Sequence, residues 1–402
     1  MQYKVLFKRC LLAIVVMFVV TSLQAQREMK TINDNWEFRK SIDESWESVN
    51  LPHTFNIDAY QQRNYYQGKG FYRRTLVLPE IVAERRYYMK IDAASKAANI
   101  RVNGKEVGSH VGGYTACIVD ITEYIRKENL IEITVDNGRK DITPISADFT
   151  FWGGIYRDVW LISTPKQHFN MSNMGSDGIF ISTPVVNEKR GVLKVKCEVT
   201  NDSHESSILE VRSAIYSPQG KLLQTIKQKQ KLKSGETYIF ENTSGAIESP
   251  DLWSPETPSL YLVKTTLVDP KSGKLLDEKN HKVGFRWFTF DGSKGFFLNG
   301  KSYKLRGLNR HQDQAPAGVA LDDEAHRRDI FLMKELGCNF IRISHFPQDD
   351  AILEMCDELG LLAWEEIPII NIVPNTPGYD DNCEYNLREM IRQHYNHSSV
   401  IT

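Results

Sequence analysis

Three short apolar runs decide the fold of this chain: KLRGLN at 304–309, NFIRIS at 339–344 and LLAWEE at 361–366. Each run has the length and composition of a buried strand. Stretches with helical spacing of apolar residues follow them in turn, at 322–336, 348–359 and 383–394. The first of these helices begins after Asp322, a residue type that caps helices well. Strands and helices therefore alternate, which is typical of a parallel sheet with helices packed against it.

The sequence after the first strand separates two kinds of parallel sheet. No glycine-rich phosphate loop follows that strand, which argues against a nucleotide-binding, doubly wound sheet. Residues 286–402 are therefore interpreted as the N-terminal part of a (β/α)8 TIM barrel. Residues 400–402 have the pattern of a fourth strand. Because three and a part of eight units do not close a barrel, we expect this part to be unstable by itself.

Two β-rich parts precede the barrel segment. Residues 27–165 contain short alternating strands separated by turns, which predicts an antiparallel jelly-roll sandwich. Asn103-Gly104 in this part is a typical two-residue hairpin turn. Residues 168–285 contain strands of the same kind and are predicted to form an immunoglobulin-like sandwich that acts as a spacer. The predicted fold class is thus multidomain β plus α/β.

The composition describes a soluble globular protein with several domains. Its 402 residues are 25% charged and 41% hydrophobic, and the formal net charge is −1. Because the chain has no strong charge bias, the composition argues against nucleic acid and anionic membranes as partners and favours a neutral ligand. The composition is also compatible with a homo-oligomer.

Residues 1–25 differ from the rest of the chain. Lys4, Lys8 and Arg9 precede an apolar run from Cys10 to Val20. This run is well below the roughly 20 residues that a membrane-spanning helix needs. We therefore predict a signal peptide, a secreted or periplasmic location, and no membrane attachment beyond the signal peptide.

Five cysteines follow the predicted signal peptide: Cys117, Cys197, Cys338, Cys356 and Cys383. Their odd number and their apolar surroundings predict buried free thiols rather than a disulfide framework. They also lack the spacing of zinc ligands. No metal ion is expected from this pattern.

Polar side chains follow the predicted barrel strands at the points where these strands end. They are Asn309, Arg310, His311 and Asp313 after the first strand, Arg342 and His345 at the second, and Glu365 and Glu366 at the third. Because the carboxyl ends of barrel strands meet at one mouth, these side chains should converge. Such a group could hold a metal ion, bind the hydroxyls of a sugar or form a buried structural network.

Several motifs resemble, in order and spacing, the successive signatures of glycoside hydrolase family 2. They are DFTFWGGIYRDV at 148–159, GFR at 284–286, FLNGK at 297–301, LRGLNRHQD at 305–313 and NFIRISHFP at 339–347. The resemblance covers residues 27–402. It implies a jelly-roll sugar-binding domain, an immunoglobulin-like domain and a TIM barrel that cleaves glycosidic bonds with retention. Retention requires two carboxylates about 5 to 5.5 Å apart.

The resemblance also implies roles for individual residues. His311 and His345 would contact the terminal sugar, Arg342 would brace the acidic residues, and Asp148 would reach in from the jelly roll to accept sugar hydroxyls. The supporting residues would be Asn309, Arg310, Asp313, Glu365 and Glu366. Alternatives stay open for two of these side chains: Arg342 as a structural ion pair with Glu365 or Glu366, and Asp148 as a turn-capping carboxylate.

By the same resemblance the substrate is an oligosaccharide or other β-glycoside. The run Arg310-His311-Gln312-Asp313 favours a β-galactosidase, with β-glucuronidase and β-mannosidase as alternatives. No cofactor is expected, and Ile370 and Ile372 stand where some family members bind magnesium.

The resemblance places both catalytic carboxylates beyond Thr402, the last residue of the sequence. In the family the acid/base glutamate lies in a Trp-Ser-x-Gly-Asn-Glu stretch, and the nucleophile lies further on. The sequence stops before both. We therefore assign no catalytic residue and expect this chain as given to be inactive alone.

A different class of function is a carbohydrate-binding protein without catalysis. Jelly rolls bind glycans on aromatic platforms, and the candidates here are Trp36, Trp46, Tyr60, Tyr65, Tyr66 and Tyr72. In a sandwich most aromatic side chains lie in the core. Saturable binding of a sugar to residues 27–165 would favour this alternative.

Overall fold

The computed structural model describes residues 26–402. The predicted signal peptide, residues 1–25, lies outside the described residues. The fold class predicted from the sequence is confirmed: two β-sandwiches are followed by alternating parallel strands and helices. Within residues 26–402 no helix has both the length and the apolar character that crossing a membrane requires.

The first sandwich consists of a four-stranded sheet and a six-stranded sheet with a common core. Its strands are β1 (Glu28–Thr31), β2 (Trp36–Arg39), β3 (Glu47–Val49), β4 (Lys69–Val77), β5 (Arg85–Ile91), β6 (Ala94–Ser95), β7 (Ala97–Val102), β8 (Lys105–Val111), β9 (Cys117–Asp120), β10 (Glu128–Asp136), β11 (Gly154–Ile155) and β12 (Val159–Pro165). The sheet orders are β1-β12-β5-β9 and β3-β2-β4-β10-β7-β8, and the two remaining strands, β6 and β11, form a separate two-stranded sheet. Asn103 and Gly104 join β7 to β8 with positive φ angles of 53° and 77°, as the predicted hairpin turn requires.

The second sandwich packs two antiparallel sheets around its own core. Its strands are β13 (Gln167–Phe169), β14 (Ile179–Val186), β15 (Arg190–Asn201), β16 (Ser207–Tyr216), β17 (Leu222–Leu232), β18 (Glu236–Thr243), β19 (Ile247–Glu248), β20 (Tyr261–Val268) and β21 (Leu275–Val283). In one sheet β15 pairs with β13, β14, β18 and β19, and the other has the order β17-β16-β20-β21. The alternating side chains of these strands bury one face, which is the pattern that predicted them.

The barrel segment begins after a small antiparallel sheet. That sheet contains β22 (Phe288–Asp291), β23 (Gly295–Leu298) and β24 (Lys301–Ser302). Three parallel strands then alternate with three helices: β25 (Gly307–Arg310), α1 (Asp323–Glu335), β26 (Phe340–Ile343), α2 (Asp350–Leu359), β27 (Leu362–Trp364) and α3 (Tyr379–Gln393). Asp322 caps α1 as predicted, because its side chain accepts a hydrogen bond from the backbone of Ala325 at 2.8 Å.

Two boundaries in this segment differ from the sequence prediction by three residues or more, and the others agree within two residues. The first barrel strand begins at Gly307 rather than at residue 304, and α3 begins at Tyr379 rather than at residue 383. The added first turn of α3 follows Gly378, which has the left-handed conformation (φ 80°).

Where the fourth strand was predicted, the end of the sequence forms an isolated parallel bridge with β27, between Val400 and Ala363. The backbone nitrogen of Ile401 donates to the carbonyl oxygen of Ala363 at 3.0 Å. The backbone nitrogen of Glu365 donates to the carbonyl oxygen of Thr402 at 2.9 Å. Thr402 therefore lies beside the carboxyl end of β27. The residues that the family resemblance places directly after Thr402 would start from this same edge of the sheet.

Helix α3 docks on both sandwiches through side chains that bond to backbone atoms. Gln393 donates to the carbonyl oxygens of Ala116 (2.9 Å) and Met174 (2.8 Å), and it accepts from the backbone nitrogen of Ala116 (2.8 Å). Just after the helix, Asn396 bonds to the carbonyl of Ile179 at 2.9 Å and to the backbone nitrogen of residue 181 at 2.8 Å. The barrel segment is thereby fixed against the two sandwiches.

The cysteines are free thiols, as predicted. Cys117, Cys197, Cys356 and Cys383 are buried, and Cys338 is half-buried. Burial raises the pKa of Cys117 to about 12, so this thiol stays protonated at neutral pH.

Candidate active site

The polar residues predicted at the strand ends lie at the carboxyl ends of β25, β26 and β27. Asn309, His311 and Asp313 are exposed there, and Glu366 follows β27. The register of the parallel strands pairs Asn309 with Arg342, and Arg342 with Trp364. The three strands therefore bring their polar ends to one edge of the sheet.

A three-membered polar cluster occupies the centre of this edge. Arg342 Nη2 donates to Oε1 of Glu366 at 2.7 Å, and Nδ1 of His345 lies 3.0 Å from the same oxygen. Nδ1 of His345 also lies 3.0 Å from Nη2 of Arg342, so whether it donates to Glu366 or accepts from Arg342 depends on the tautomer of the ring. Nε2 of His345 then remains as the other polar atom of the ring. Of the two ion-pair partners left open for Arg342, the structure selects Glu366 over Glu365.

The jelly roll completes this edge with an aromatic side chain. Phe149 stacks on the ring of His345, with centroids 6.0 Å apart and planes inclined by 18°, and it lies 6.1 Å from the ring of His311. The two histidine rings are 5.1 Å apart at an angle of 73°. One aromatic side chain from the first domain thus orients both histidines of the barrel segment.

The surroundings of His311 favour its neutral form, chiefly through burial. Burial lowers the pKa of His311, and the neighbouring His345 and Arg342 lower it further, against the opposing effect of Asp313 and Asp148. Asp148 belongs to the jelly roll and directly precedes Phe149, which contacts the rings of both histidines. A neutral imidazole can both donate and accept a hydrogen bond, which suits a hydroxyl group as partner.

Glu365 faces away from this cluster, as the alternation of side chains along a strand requires. Its carboxylate is buried, and both oxygens lie 2.9 Å from Nδ1 of His394 on the C-terminal side of α3. The other ring nitrogen of His394 lies 3.4 Å from Asp350. Glu365 is therefore part of a charge network behind the sheet that joins the buried Glu365 and His394 to the exposed Asp350.

Arg310 also turns into the interior. It is 5% exposed, bonds to Asp329 at 2.9 and 2.7 Å, and donates to Gln348 at 2.5 Å. These bonds join the first barrel strand to α1 and to the segment before α2. Arg310 supports the site through the backbone that carries His311.

Two aromatic residues of the site received no role from the sequence. Phe149 follows Asp148 directly, and Trp364 at the end of β27 is 42% exposed beneath the guanidinium of Arg342, 5.9 Å from its ring centre. The only sequence signal for a role in the site was that Phe149 is adjacent to Asp148 and Trp364 is adjacent to Glu365. Sequence reasoning that looked only for polar groups passed over them.

Of the six aromatic residues proposed for a glycan platform on the jelly roll, two are buried, three are half-buried and Tyr60 is 43% exposed. Trp36 and Tyr72 are 0% and 1% exposed and belong to the core. The guanidinium groups of Arg39 and Arg73 cover the ring of Trp46 at 4.4 and 4.1 Å. Burial and cation–π stacking account for these three rings.

Metal ligands are not grouped in the described part of the chain. Among residues 26–402, no three His, Cys, Asp or Glu side chains lie close enough together to hold a metal ion. The histidines of the site are instead engaged by Glu366 and Phe149.

Domain models of one family match three successive parts of the chain. The sugar-binding domain of glycosyl hydrolases family 2 matches residues 13–165, the family 2 domain of glycosyl hydrolases matches 177–286, and their TIM barrel domain matches 291–402. Together these matches cover nearly all of the sequence in the family's own order.

Three similar proteins that are named for an activity fall into two substrate groups. One solved structure is that of Bacteroides uniformis β-glucuronidase 2, covalently bound to cyclophellitol-6-carboxylate aziridine. It is 58% identical in sequence and superimposes with a TM-score of 0.91. The match includes 94% of this chain and 46% of that protein. A putative β-glucuronidase of Formosa agariphila is 36% identical (93% of this chain, 45% of the relative). A β-galactosidase of Thermoanaerobacterium thermosulfurigenes is 34% identical (93% and 53%). The chain thus spans about half the length of these relatives.

Proposed function

The chain belongs to glycosyl hydrolases family 2, and on that basis we propose that it supplies the sugar-recognising part of a glycosidase that cleaves terminal β-glucuronides. The observation that carries the proposal is the cluster of Arg342, Glu366 and His345, with His311 and Phe149 beside it. Such a cluster offers oriented donors and acceptors on one rigid edge, as a sugar with several hydroxyls requires.

Each residue of the cluster would act on the sugar in a different way. His311 and His345 would hydrogen-bond its hydroxyls. The negative charge of Glu366 would favour the positive charge that develops on the sugar ring during cleavage. Arg342 would hold that carboxylate in place, and Asp148 would accept hydroxyl protons from the side of the jelly roll. These roles remain proposals for Asp148, His311, Arg342 and His345.

The two catalytic carboxylates would be supplied by residues beyond Thr402, and this assignment remains a prediction from the family resemblance. Support comes from the position of Thr402 beside the end of β27, which carries Glu366. A glutamate that follows closely on the fourth strand would reach the same edge as the cluster.

The choice of glucuronide over galactoside rests on the relatives. The solved Bacteroides uniformis enzyme, at 58% identity, is named a β-glucuronidase, and its bound inhibitor has a carboxylate at C6. Its covalent attachment to that inhibitor agrees with the covalent intermediate of retaining glycosidases. The galactosidase expected from the sequence is the second candidate, because a β-galactosidase is among the relatives at 34% identity.

The test compares hydrolysis of 4-nitrophenyl β-glucuronide and 4-nitrophenyl β-galactoside by the product of the whole open reading frame. We expect the glucuronide to be hydrolysed with a kcat/KM about a hundredfold higher or more, because the site must pair a substrate carboxylate that the galactoside lacks. Faster hydrolysis of the galactoside would establish the second candidate. Hydrolysis of neither glycoside would overturn the proposal.

A pair of variants links the activity to the proposed cluster. Glu366→Gln removes the charge that Arg342 and His345 share, and we expect kcat/KM to fall about a hundredfold or more. Glu358→Gln is the matched control, because Glu358 pairs with Lys282 at 2.8 Å on the surface, away from the cluster. Equal activity of the two variants would exclude Glu366 from the site.

We also propose that the protein acts outside the cytoplasm, as a secreted or periplasmic protein. The support is the basic and apolar composition of residues 1–25. N-terminal sequencing of the mature protein checks this proposal, and a mature chain that retains residues 1–25 in the cytoplasm would contradict it.

A further inference from the structure

A buried lysine lies beneath the segment of the jelly roll that reaches the barrel segment. Lys96, between β6 and β7, is 1% exposed. Its Nζ donates to the carbonyl oxygens of Arg139 and Pro144, both at 2.8 Å, and lies 4.9 Å from the ring centre of Phe151. All three partners belong to residues 137–153, which join β10 to β11 and which we call the site loop.

No carboxylate pairs with this ammonium group among the described residues. Burying a charge without an ionic partner is costly unless hydrogen bonds replace those of water. Burial lowers the pKa of Lys96 to about 8, and the charges of Lys140 and Arg139 add to this effect while Asp136 and Asp141 oppose it. The ammonium group is therefore stabilised mainly by the two carbonyl groups and the aromatic ring of the site loop.

The site loop also lies against the barrel segment. The hydroxyl of Thr143 donates to the carbonyl oxygen of Pro368, in the segment that follows β27. Phe149 stacks on His345, as described above, and Asp148 precedes it. The loop is thus bound by Lys96 at Arg139, Pro144 and Phe151, and it contacts the candidate active site through Phe149.

We propose that Lys96 is a positioning residue that holds the site loop over the barrel mouth, so that Asp148 and Phe149 reach the sugar. The part about the sugar rests on the proposed function, whereas the part about the loop does not. Removal of the amine would leave the carbonyl groups of Arg139 and Pro144 without this donor, and the bond to Pro144 is buried.

Hydrogen exchange of the full chain, followed by mass spectrometry, tests the effect on the loop. In Lys96→Met we expect peptides from residues 137–153 to exchange about tenfold faster or more, with the strands of the jelly roll unchanged. Lys90→Met is the matched control, because Lys90 is a lysine of the same domain that pairs with Asp92 at 2.7 Å. Unchanged exchange of the loop in Lys96→Met, or equal acceleration across the whole jelly roll, would overturn the proposal.

A second measurement uses the unaltered chain, in case Lys96→Met does not fold. When Lys96 loses its proton, its charge-assisted hydrogen bonds become weaker neutral ones. Loop protection, corrected for the intrinsic pH dependence of exchange, should therefore fall between about pH 7 and about pH 9, while that of the strands stays constant. Constant protection of the loop across this range would contradict the role of Lys96.

Activity separates this proposal from the proposed function. In the product of the whole open reading frame, Lys96→Met should raise KM for the preferred glycoside more than it lowers kcat, because the loop is displaced while the barrel segment keeps its geometry. A loosened loop in an enzyme that hydrolyses neither glycoside would leave the role of Lys96 intact and refute the function. Unchanged KM in an active enzyme would refute the consequence proposed for the sugar.

Discussion

Replacement of His394 by glutamine should change how the stability of the chain depends on pH. His394 is 7% exposed and lies between two carboxylates, with Glu365 at 2.9 Å and Asp350 at 3.4 Å. Burial by itself would lower the pKa of His394, but the two carboxylates outweigh it and raise the pKa to about 10. The same contact, together with Lys90, lowers the pKa of Asp350.

The size and sign of the effect follow from this raised pKa. A rise from the ordinary 6.5 to about 10 corresponds to about 5 kcal/mol at about 1.4 kcal/mol for each tenfold change in proton affinity. The folded state binds the proton more tightly than the unfolded state. The stabilisation is therefore fully present below pH 6.5 and is lost as the pH rises through about 10. Because the carboxylates are coupled to the histidine, we expect about 3 to 5 kcal/mol for the variant at about pH 6.

Urea unfolding followed by tryptophan fluorescence measures this effect. The free energy of unfolding of His394→Gln should fall below that of the wild type at about pH 6, and the gap should close as the pH approaches about 10. His204→Gln is the control, because His204 is exposed in the second sandwich. A gap between wild type and His394→Gln that stays the same over this whole pH range would refute the reasoning.

Three further substitutions should destabilise the chain by amounts that thermal unfolding can detect. Glu389→Gln breaks a buried contact in which His110 lies 3.0 Å from the carboxylate. The free energy of unfolding should fall by about 3 kcal/mol. An unchanged Tm would show that this contact does not stabilise α3. Trp253→Phe removes the 2.9 Å bond to the carbonyl of Asp357 and should cost about 1 to 3 kcal/mol, which a Tm equal to the wild type would contradict. Gly284→Ala would place a methyl group 2.5 Å from Cβ of Trp253, and the expected loss of about 1 to 3 kcal/mol would be excluded by a variant as stable as the parent.

Much of the fold could be predicted from local patterns, because the alternation of buried and exposed side chains is a property of each strand by itself. The start of α3 could not. Residues 379–382 are mostly polar and lack apolar spacing, and the first turn is fixed by burial of Tyr379, whose hydroxyl reaches Thr143 of the jelly roll at 3.4 Å. A contact between residues so far apart in sequence leaves no periodic signal.

The candidate site likewise has features that the sequence could predict and contacts that it could not. The separation of Glu365 from Glu366 could be predicted, because adjacent residues of a strand face opposite sides. The stacking of Phe149 on His345 depends on how the jelly roll sits on the barrel segment, which the sequence of neither part determines. The partner of Glu365, His394, was likewise hidden, since it lies at the far end of α3.

The bonds from α3 to backbone atoms have a consequence for how this family can evolve. Gln393 recognises the main chain at Ala116 and Met174, and Asn396 recognises it at Ile179. Every residue type presents the same carbonyl group, so these three positions can mutate freely among side chains that fit without loosening the joint. The selective constraint falls on the two amides. Across homologous sequences, we therefore expect residues 393 and 396 to vary less than the sandwich residues that they contact.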